Sequence, residues 1–453
     1  MVKRIVVVDA PILPTDQVNM TMSQTVLPFK LSATAESLTA HAGLVLIGEY
    51  MEALGLASLI DHELPGPGSA IGYEASAFVE PLVLLLHGGG RTLEDLRVLR
   101  GESGLLRLLQ WNLPSSDAAG DWLRRMGDKG LPGFQRVNRT VNRRVLRRES
   151  RESYTLDIDA TGIEAEKYAA YYSYKGEKGY MPIIGHLAEN GLAIGYEFRE
   201  GNAAPAARNL EFMQECEANM PRHKRIGAIR ADSAAYQADI FNWCEATGKV
   251  FAIGADQDAS VKAAIRSIPD GDWIKFRDGE IAETVHCMNK TGKAFRLIVM
   301  RKSQEQDLFD STVAPYRYHA IASNRPDENA AATMEWYSKR GDASENRIKD
   351  LKIGFGMEYM PCGTFQANAA FFAIGVLAYN LYIGFRAIVL GDGWSRAQVQ
   401  TVRWRIYQTA GKIIHHGRRI ILKISAAAID LFTTIRERCA CLLHQDPLIP
   451  ETS

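Results

Sequence analysis

Tyr154-Thr155-Leu156-Asp157-Ile158-Asp159-Ala160-Thr161 decides how this chain is read. The run alternates with a period of two, so Leu156 and Ile158 face one side of a strand while Asp157 and Asp159 face the other. A carboxylate inside an apolar strand is costly unless it is paired or binds a cation. A second run, Ile229-Arg230-Ala231-Asp232-Ser233, ends in the same way, with an acid followed by a hydroxyl residue. Two acids at the ends of separate strands point to a shared divalent ion, since magnesium takes hard carboxylate oxygens and keeps several waters. They equally suit caps of the turns or helices that follow, a routine duty of Asp and Ser.

Outward from these runs the pattern is α/β. Strands are expected at 154–159, 183–186 and 192–198, the last two joined by a turn at Glu189-Asn190-Gly191. A helix over 207–220, a strand over 225–230, a helix over 234–247 and a strand over 250–254 complete an order shared with the ribonuclease H-like fold. Residues 273–277, 281–288, 295–301 and 316–322 break the alternation as four further strands and read as an inserted β region. Helices return over 328–336, near 342–352, and across 365–389. The most apolar stretch, 371–390, has the length of a membrane span, but Asn380 and Arg386 interrupt it. Both are costly in lipid, so a buried helix is expected and no membrane partner.

The 150 residues before the first strand read as helices cut by Pro and Gly. His87-Gly88-Gly89-Gly90 mimics an esterase oxyanion loop, yet the chain holds no G-x-S-x-G nucleophile elbow. From Trp122 to Arg151 there are ten Lys or Arg against two acids, and nine of the ten are Arg. Val137, Val141 and Val145 make an apolar stripe, which leaves Arg139, Arg143 and Arg147 on another helical face. Charge runs are usually solvated faces, but guanidinium forks also suit phosphate. Residues 403–423 add six Lys or Arg with no acid, among them Arg418-Arg419. Over all 453 residues, 53 basic and 53 acidic side chains balance, which excludes a uniformly basic binder but not local basic patches. The six cysteines are scattered without a C-x-x-C pair, so neither a disulfide framework nor a zinc ribbon is indicated, and a reducing cytoplasm is expected. Residues 1–11 hold no secretory apolar core.

The third element lies in Tyr337-Ser-Lys-Arg340-Gly-Asp-Ala-Ser-Glu345-Asn-Arg-Ile-Lys-Asp-Leu-Lys352. Taken with Leu156-Asp-Ile-Asp-Ala-Thr161 and Arg230-Ala-Asp-Ser233, it resembles the DDE transposases of bacterial insertion sequences, in the branch marked by a Tyr-Arg-Glu-Lys signature. Residues 365–381, with Asn368 and Ala378-Tyr-Asn-Leu381, carry the same likeness. One departure stands out. Four residues separate Arg340 from Glu345, where the family has three. On an unbroken helix that rotates Arg340 about 140° from Glu345 instead of about 40°. Either Gly341 breaks the helix and absorbs the extra residue, or the signature is damaged. Asp342 to Glu345 also fits a capping box.

The resemblance implies a ribonuclease H-like catalytic core preceded by a helical N-terminal domain. Its expected parts are a DNA-binding region over 1–150, a first part of the core over 151–256, a β insertion over 257–324, the second part over 325–395, and a basic region over 396–453. It implies Asp159, Asp232 and Glu345 as catalytic metal ligands for two Mg2+ ions, with Mn2+ a possible substitute. Asp159 would bridge the ions, while Asp232 and Glu345 would each hold one. Tyr337, Arg340 and Lys352 would grip phosphates beside the scissile bond, and the arginines at 139, 143, 147, 418 and 419 would bind DNA. Water would free a 3′ hydroxyl at the element's end, and that hydroxyl would attack target DNA. The partners implied are double-stranded element ends, target DNA and a second copy of the chain on DNA, in a bacterial cytoplasm at the nucleoid. Trp273 is a base-stacking candidate or a core residue. Two rivals share these residues: a metal-dependent nuclease that cuts without joining, and a catalytically inactive DNA-binding derivative.

Overall fold

A computed structural model describes residue 27 and residues 32–69, 72–173, 175–304, 315–326 and 329–445, without the side chains of 342–345 and 445. The expectation for residues 1–11 lies outside the described residues. After β1 (Ser37–Thr39) come six helices: α1 (Leu44–Leu54), α2 (Leu56–Glu63), α3 (Ser76–Gly88), α4 (Leu96–Gly101), α5 (Ser103–Leu109) and the long α6 (Ser116–Arg147). The Ser115 hydroxyl starts α6 by accepting from the Ala118 amide at 3.1 Å, and Gly127 kinks it.

Next come β2 (Ser153–Ala160), β3 (Ile163–Glu164), β4 (Tyr171–Tyr172), β5 (Lys178–Tyr180), β6 (Ile183–Leu187) and β7 (Ala193–Glu197). Then α7 (Asn209–Ala218), β8 (Arg225–Ala231), α8 (Ala238–Ala246), β9 (Val250–Gly254) and α9 (Ala259–Arg266) alternate. Along the sheet the main strands stand β7-β6-β2-β8-β9, with β7, β2, β8 and β9 running one way and β6 antiparallel to its two neighbours. Counted in chain order that is 3-2-1-4-5, the ribonuclease H-like arrangement expected from the sequence.

Four more strands, β10 (Ile274–Phe276), β11 (Gly279–His286), β12 (Phe295–Ser303) and β13 (Tyr316–Ser323), follow as an antiparallel meander. They lie inside the expected insertion, yet they form no separate body. β13 pairs with β9, so the meander widens one sheet to nine strands. Trp273 sits there in a core with Val261 and Ile265 of α9, under the Arg301 guanidinium at 4.1 Å. That leaves it packed inside the protein instead of stacking on a base.

The sheet is covered on both faces. Phe212 and Cys216 of α7 lie against Gly185 and Gly195, where a Cβ at either glycine would meet the Cys216 sulfur at 2.8 or 2.5 Å. On the other face runs α10 (Ala330–Lys349), burying Met334 and Tyr337 against Ala252, Ile298 and Ile321. A π-helical turn, Asp350–Gly354, leads to α11 (Phe365–Gly384) and a second π turn, Phe385–Leu390. Of the most apolar window of α11 and its extension, 83% is buried within the protein. Asn380 explains its own presence: its amide clips the β7 backbone at Ala193 (2.9 and 3.0 Å) and reaches Asn138 of α6 at 3.1 Å. His87 is likewise buried, bonded to the Tyr407 hydroxyl and the Ala378 carbonyl at 3.1 Å each, far from any oxyanion role. The described residues close with α12 (Val399–Val402), a third π turn (Arg403–Tyr407), a hairpin of β14 (Gly411–His416) and β15 (Arg419–Lys423), and α13 (Ala426–Gln445).

Candidate functional site

Strands β2 and β8 run parallel with Asp157 opposite Arg230. Continuing that ladder by two residues brings Asp159 level with Asp232, on strands about 4.8 Å apart. Both carboxylates therefore stand at the C-terminal edge of the sheet, where loops converge in open α/β sheets. Asp159 retains 24% of its side-chain exposure. Asp232 accepts the Ala234 amide through Oδ1 at 3.0 Å and so caps the short turn Ser233–Ala235. The cap expected from the sequence is real for that oxygen.

Helix α10 and the π turn after it bring three more predicted residues near this edge. Asn329 caps it by accepting from the Ala332 amide at 2.7 Å. The Arg340 guanidinium comes within 3.8 Å of Asp159 Oδ2 and lies 5.7 Å from the Tyr337 ring. The Tyr337 hydroxyl sits against Gly254: a Cβ there would meet it at 3.1 Å and the Ser233 amide nitrogen at 3.0 Å. Burial first, then Asp232 and Asp159, push the Tyr337 phenol up against the opposing pull of Arg340. Burial works against the Arg340 charge, but Tyr337, Asp159 and Asp232 together outweigh it and raise the group. Arg340 Nε is buried with no hydrogen-bond partner among the described residues. Lys352, in the π turn, donates to the Gly162 carbonyl at 2.7 Å, three residues beyond Asp159.

Glu345 lies within α10, and its side chain lies outside the described residues. Two sequence readings nevertheless change. The helix runs unbroken from Ala330 to Lys349, so Gly341 does not absorb the extra residue. Asp342 is no N-cap either, because Asn329 starts the helix. A glycine in a helix interior costs only about 1 kcal/mol, and the burial of Met334, Tyr337 and Ile348 along one face offsets it. Among the described residues no three His, Cys, Asp or Glu gather into a metal-binding group.

Beneath this edge lies a cluster that sequence reasoning missed. Asp157 is fully buried and takes a two-pronged bond from Arg230, 2.7 Å on each prong, with Arg347 of α10 at 3.7 Å. Arg230 also donates to the Trp336 carbonyl at 2.6 Å, and Arg347 to that of Ala188. The signal was present: Arg230 breaks an apolar strand two residues before Asp232, just as Asp157 precedes Asp159. His186 stands opposite Asp157 across the β2–β6 pair, and burial, aided by Arg347, pushes its imidazole down to about 3.

The basic residues divide. Arg143 of α6 donates to the Ala218 and Asn219 carbonyls (2.9 and 3.0 Å) and so closes the end of α7. Arg139 is half-buried along a cavity of about 220 Å³ shared with Ala218 and Asn219. Only Arg147 of the three is exposed, so they do not form the open face expected of them. Arg418 and Arg419 are exposed at the tip of the β14–β15 hairpin.

The family described as transposase DDE domain group 1 matches residues 24–441. Among solved structures, the piggyBac transposase in a synaptic complex with hairpin DNA is similar at a TM-score of 0.46 and 10% identity, over 93% of this chain and 90% of that chain. No curated protein matches.

Proposed function

Because the chain belongs to the transposase DDE domain group 1 family, and is thereby an enzyme of DNA transposition, we propose that it cuts DNA at the ends of its own element and joins the freed 3′ ends to a target. The observation that supports this reading is that Asp159 and Asp232, at the ends of neighbouring strands, both act on Tyr337 and Arg340, with Lys352 on the loop that follows Asp159. Hard carboxylate oxygens fit a divalent ion, and Asp159 and Asp232, with Glu345 as third ligand, would hold it. Bound magnesium or manganese would supply charge neutralisation at the phosphate and a more acidic attacking oxygen.

The rest falls to the protein. Arg340, held between Tyr337 and Asp159 at the edge of the site, would offer its guanidinium to a phosphate oxygen. Lys352 holds the loop that follows Asp159 and offers a second cation to the backbone of the substrate. Tyr337 keeps its proton at neutral pH and can donate a hydrogen bond. The exposed Arg147, Arg418 and Arg419 would serve the flanking duplex. The active form would be a dimer on DNA, since two ends need two sites, working in a bacterial cytoplasm at the nucleoid.

The test uses full-length protein and two end fragments of different length cut from the DNA that flanks its gene. Magnesium-dependent cleavage and joining of both fragments to a plasmid is the expected result. A paired complex carrying both fragments should form on a native gel with calcium in place of magnesium. Cleavage without joining would identify a nuclease. End binding without cleavage would identify an inactive derivative, the reading that the unbroken phase between Arg340 and Glu345 favours.

A further inference from the structure

The hairpin that carries Asp159 does not stop at the site. Asp159 pairs with Ile184 and Ala160 with Ile183; then the Thr161 amide donates to the Pro182 carbonyl, and Ile163 and Glu164 pair with Tyr180 and Gly179. β4 adds a third strand to this extension. The result is a small sheet continuing from the catalytic edge, packed on the core through Ile163 and Tyr180, its first strand within about 13 Å of Asp159 at 3.3 Å per residue.

Its surface is unusual in one respect. Tyr168 is 100% exposed, Tyr172 66% and Tyr171 53%, within five residues. Lysines interleave with aromatics here. Lys178 stands directly opposite Tyr172 across the β4–β5 pair, and Lys167 reaches over the half-exposed Tyr359 ring at 5.5 Å. Lys352, by holding Gly162, ties the base of this flap to the turn after α10. Among the described residues nothing in the fold uses the three tyrosine rings, and leaving them in water has no stabilising return.

We propose that this flap binds unpaired DNA beside the cut, stacking bases on Tyr168 and Tyr172. The proposal rests on the transposase reading above. Continuity with the strand of Asp159 and the aromatic–lysine interleaving favour a nucleic-acid strand, because every base offers a π-face and basic groups track its backbone. Glu164, Glu166 and Glu177 balance Lys167, Lys175 and Lys178, so attraction to phosphate is not the main force. Binding at the flap is therefore led by stacking, with a shallow salt dependence, and it selects single strands, whose bases are accessible, over duplex.

The experiment measures anisotropy of full-length protein in EDTA, with a fluorescein-labelled mixed-sequence single strand of about 20 nucleotides and the matching blunt duplex. The Tyr168→Ala/Tyr172→Ala protein should bind the single strand roughly tenfold or more weakly, with duplex affinity changed less than about twofold. Tyr168→Phe/Tyr172→Phe should retain single-strand binding, because the ring remains. All four side-chain changes are at exposed positions, and unchanged thermal melting checks the fold. Equal loss on both probes, no loss, or an equal loss in the Phe protein would overturn the proposal. So would a shift from dimer to monomer in sedimentation with DNA binding intact, which would make the flap an interface between two copies. The readout needs no metal and no cleavage, so it separates from the test of transposition: either can fail while the other succeeds.

Discussion

Two carboxylates on one face of β2, two residues apart, have opposite surroundings. Asp157 is closed off from water, held by both prongs of Arg230 and approached by Arg347. Asp159 is partly open, with Arg340 at 3.8 Å and Asp232 at the end of the neighbouring strand. The foot of this pair is thus a neutralised anchor for α10, while its tip stays partly open to solvent. The contrast teaches that an acid in an apolar strand does not declare its role by its position alone. What decides is how completely the protein's own groups enclose it: Asp157 is 0% exposed and Asp159 24%.

Chemistry should break first at the tip. Asp159→Ala, Asp232→Ala and Glu345→Ala should each lower magnesium-dependent cleavage by on the order of a thousandfold or more, because several kcal/mol of charge stabilisation disappear. End binding and thermal melting should stay near those of the unaltered protein. Cleavage surviving in Asp159→Ala but not in Asp157→Ala would invert the assignment.

Stability should break at the foot. Asp157→Ala leaves Arg230 buried without its partner, and losing one member of a buried pair costs about 3–5 kcal/mol. Chemical denaturation should show that loss directly. Cleavage by the fraction that remains folded should fall far less than in Asp159→Ala, and a variant as stable as the original would refute the anchor.

Acid should sharpen the same contrast. His186 beside Asp157, and His87 under Arg403, are both held down at about 3, chiefly by burial, against about 6.5 when unfolded. Below pH 6.5 the unfolded chain takes up protons that the folded chain refuses. These two groups therefore withdraw stability as pH falls from about 6.5 towards 3, by up to about 1.4 kcal/mol per pH unit each. His186→Phe should flatten the dependence of unfolding free energy on pH across that window. An unchanged slope would mean that His186 is protonated in the fold.

The smallest effect separates the arginines. Arg418→Ala/Arg419→Ala should make the log–log salt slope of DNA binding shallower by about 0.9 for each phosphate that the hairpin no longer neutralises. Arg143→Ala should leave that slope alone and lower the melting temperature instead, since its guanidinium closes α7. Equal slope changes in both proteins would return Arg143 to the DNA surface.

Much of this is readable in the sequence, for definite reasons. Strands β2, β6, β7, β8 and β9 are legible because each is a short β-branched or apolar run bounded by turns, and their interleaving helices set the order. Asp159 and Asp232 are legible because both end such runs. α10 reads as two helices, since Gly341-Asp342 has the composition of a break and a cap, and only tertiary burial overrides it. The Arg139–Arg147 face misleads because helical periodicity says which residues share a side, not what packs against it. α7 and β7, distant in sequence, cover Arg139 and Arg143. The flap is hidden from a sequence reading because strands of two and three residues are too short to show a period.

The π turn at Asp350–Gly354 carries a last consequence. Hydrogen bonds from i to i+5 take one residue more per turn than an α-helix uses. An insertion of one residue upstream would otherwise swing everything after it by about 100°. A wide turn placed between α10 and the fully packed α11 works as a slip joint. It lets Leu351 and Phe355 take their seats in the core whatever phase the helix above them ends on. The phase of α10 is thus set by its own contacts, Tyr337 and Ile348 in the core and Arg347 on Asp157, and the wide turn below lets the chain leave that helix without dictating how α11 is seated.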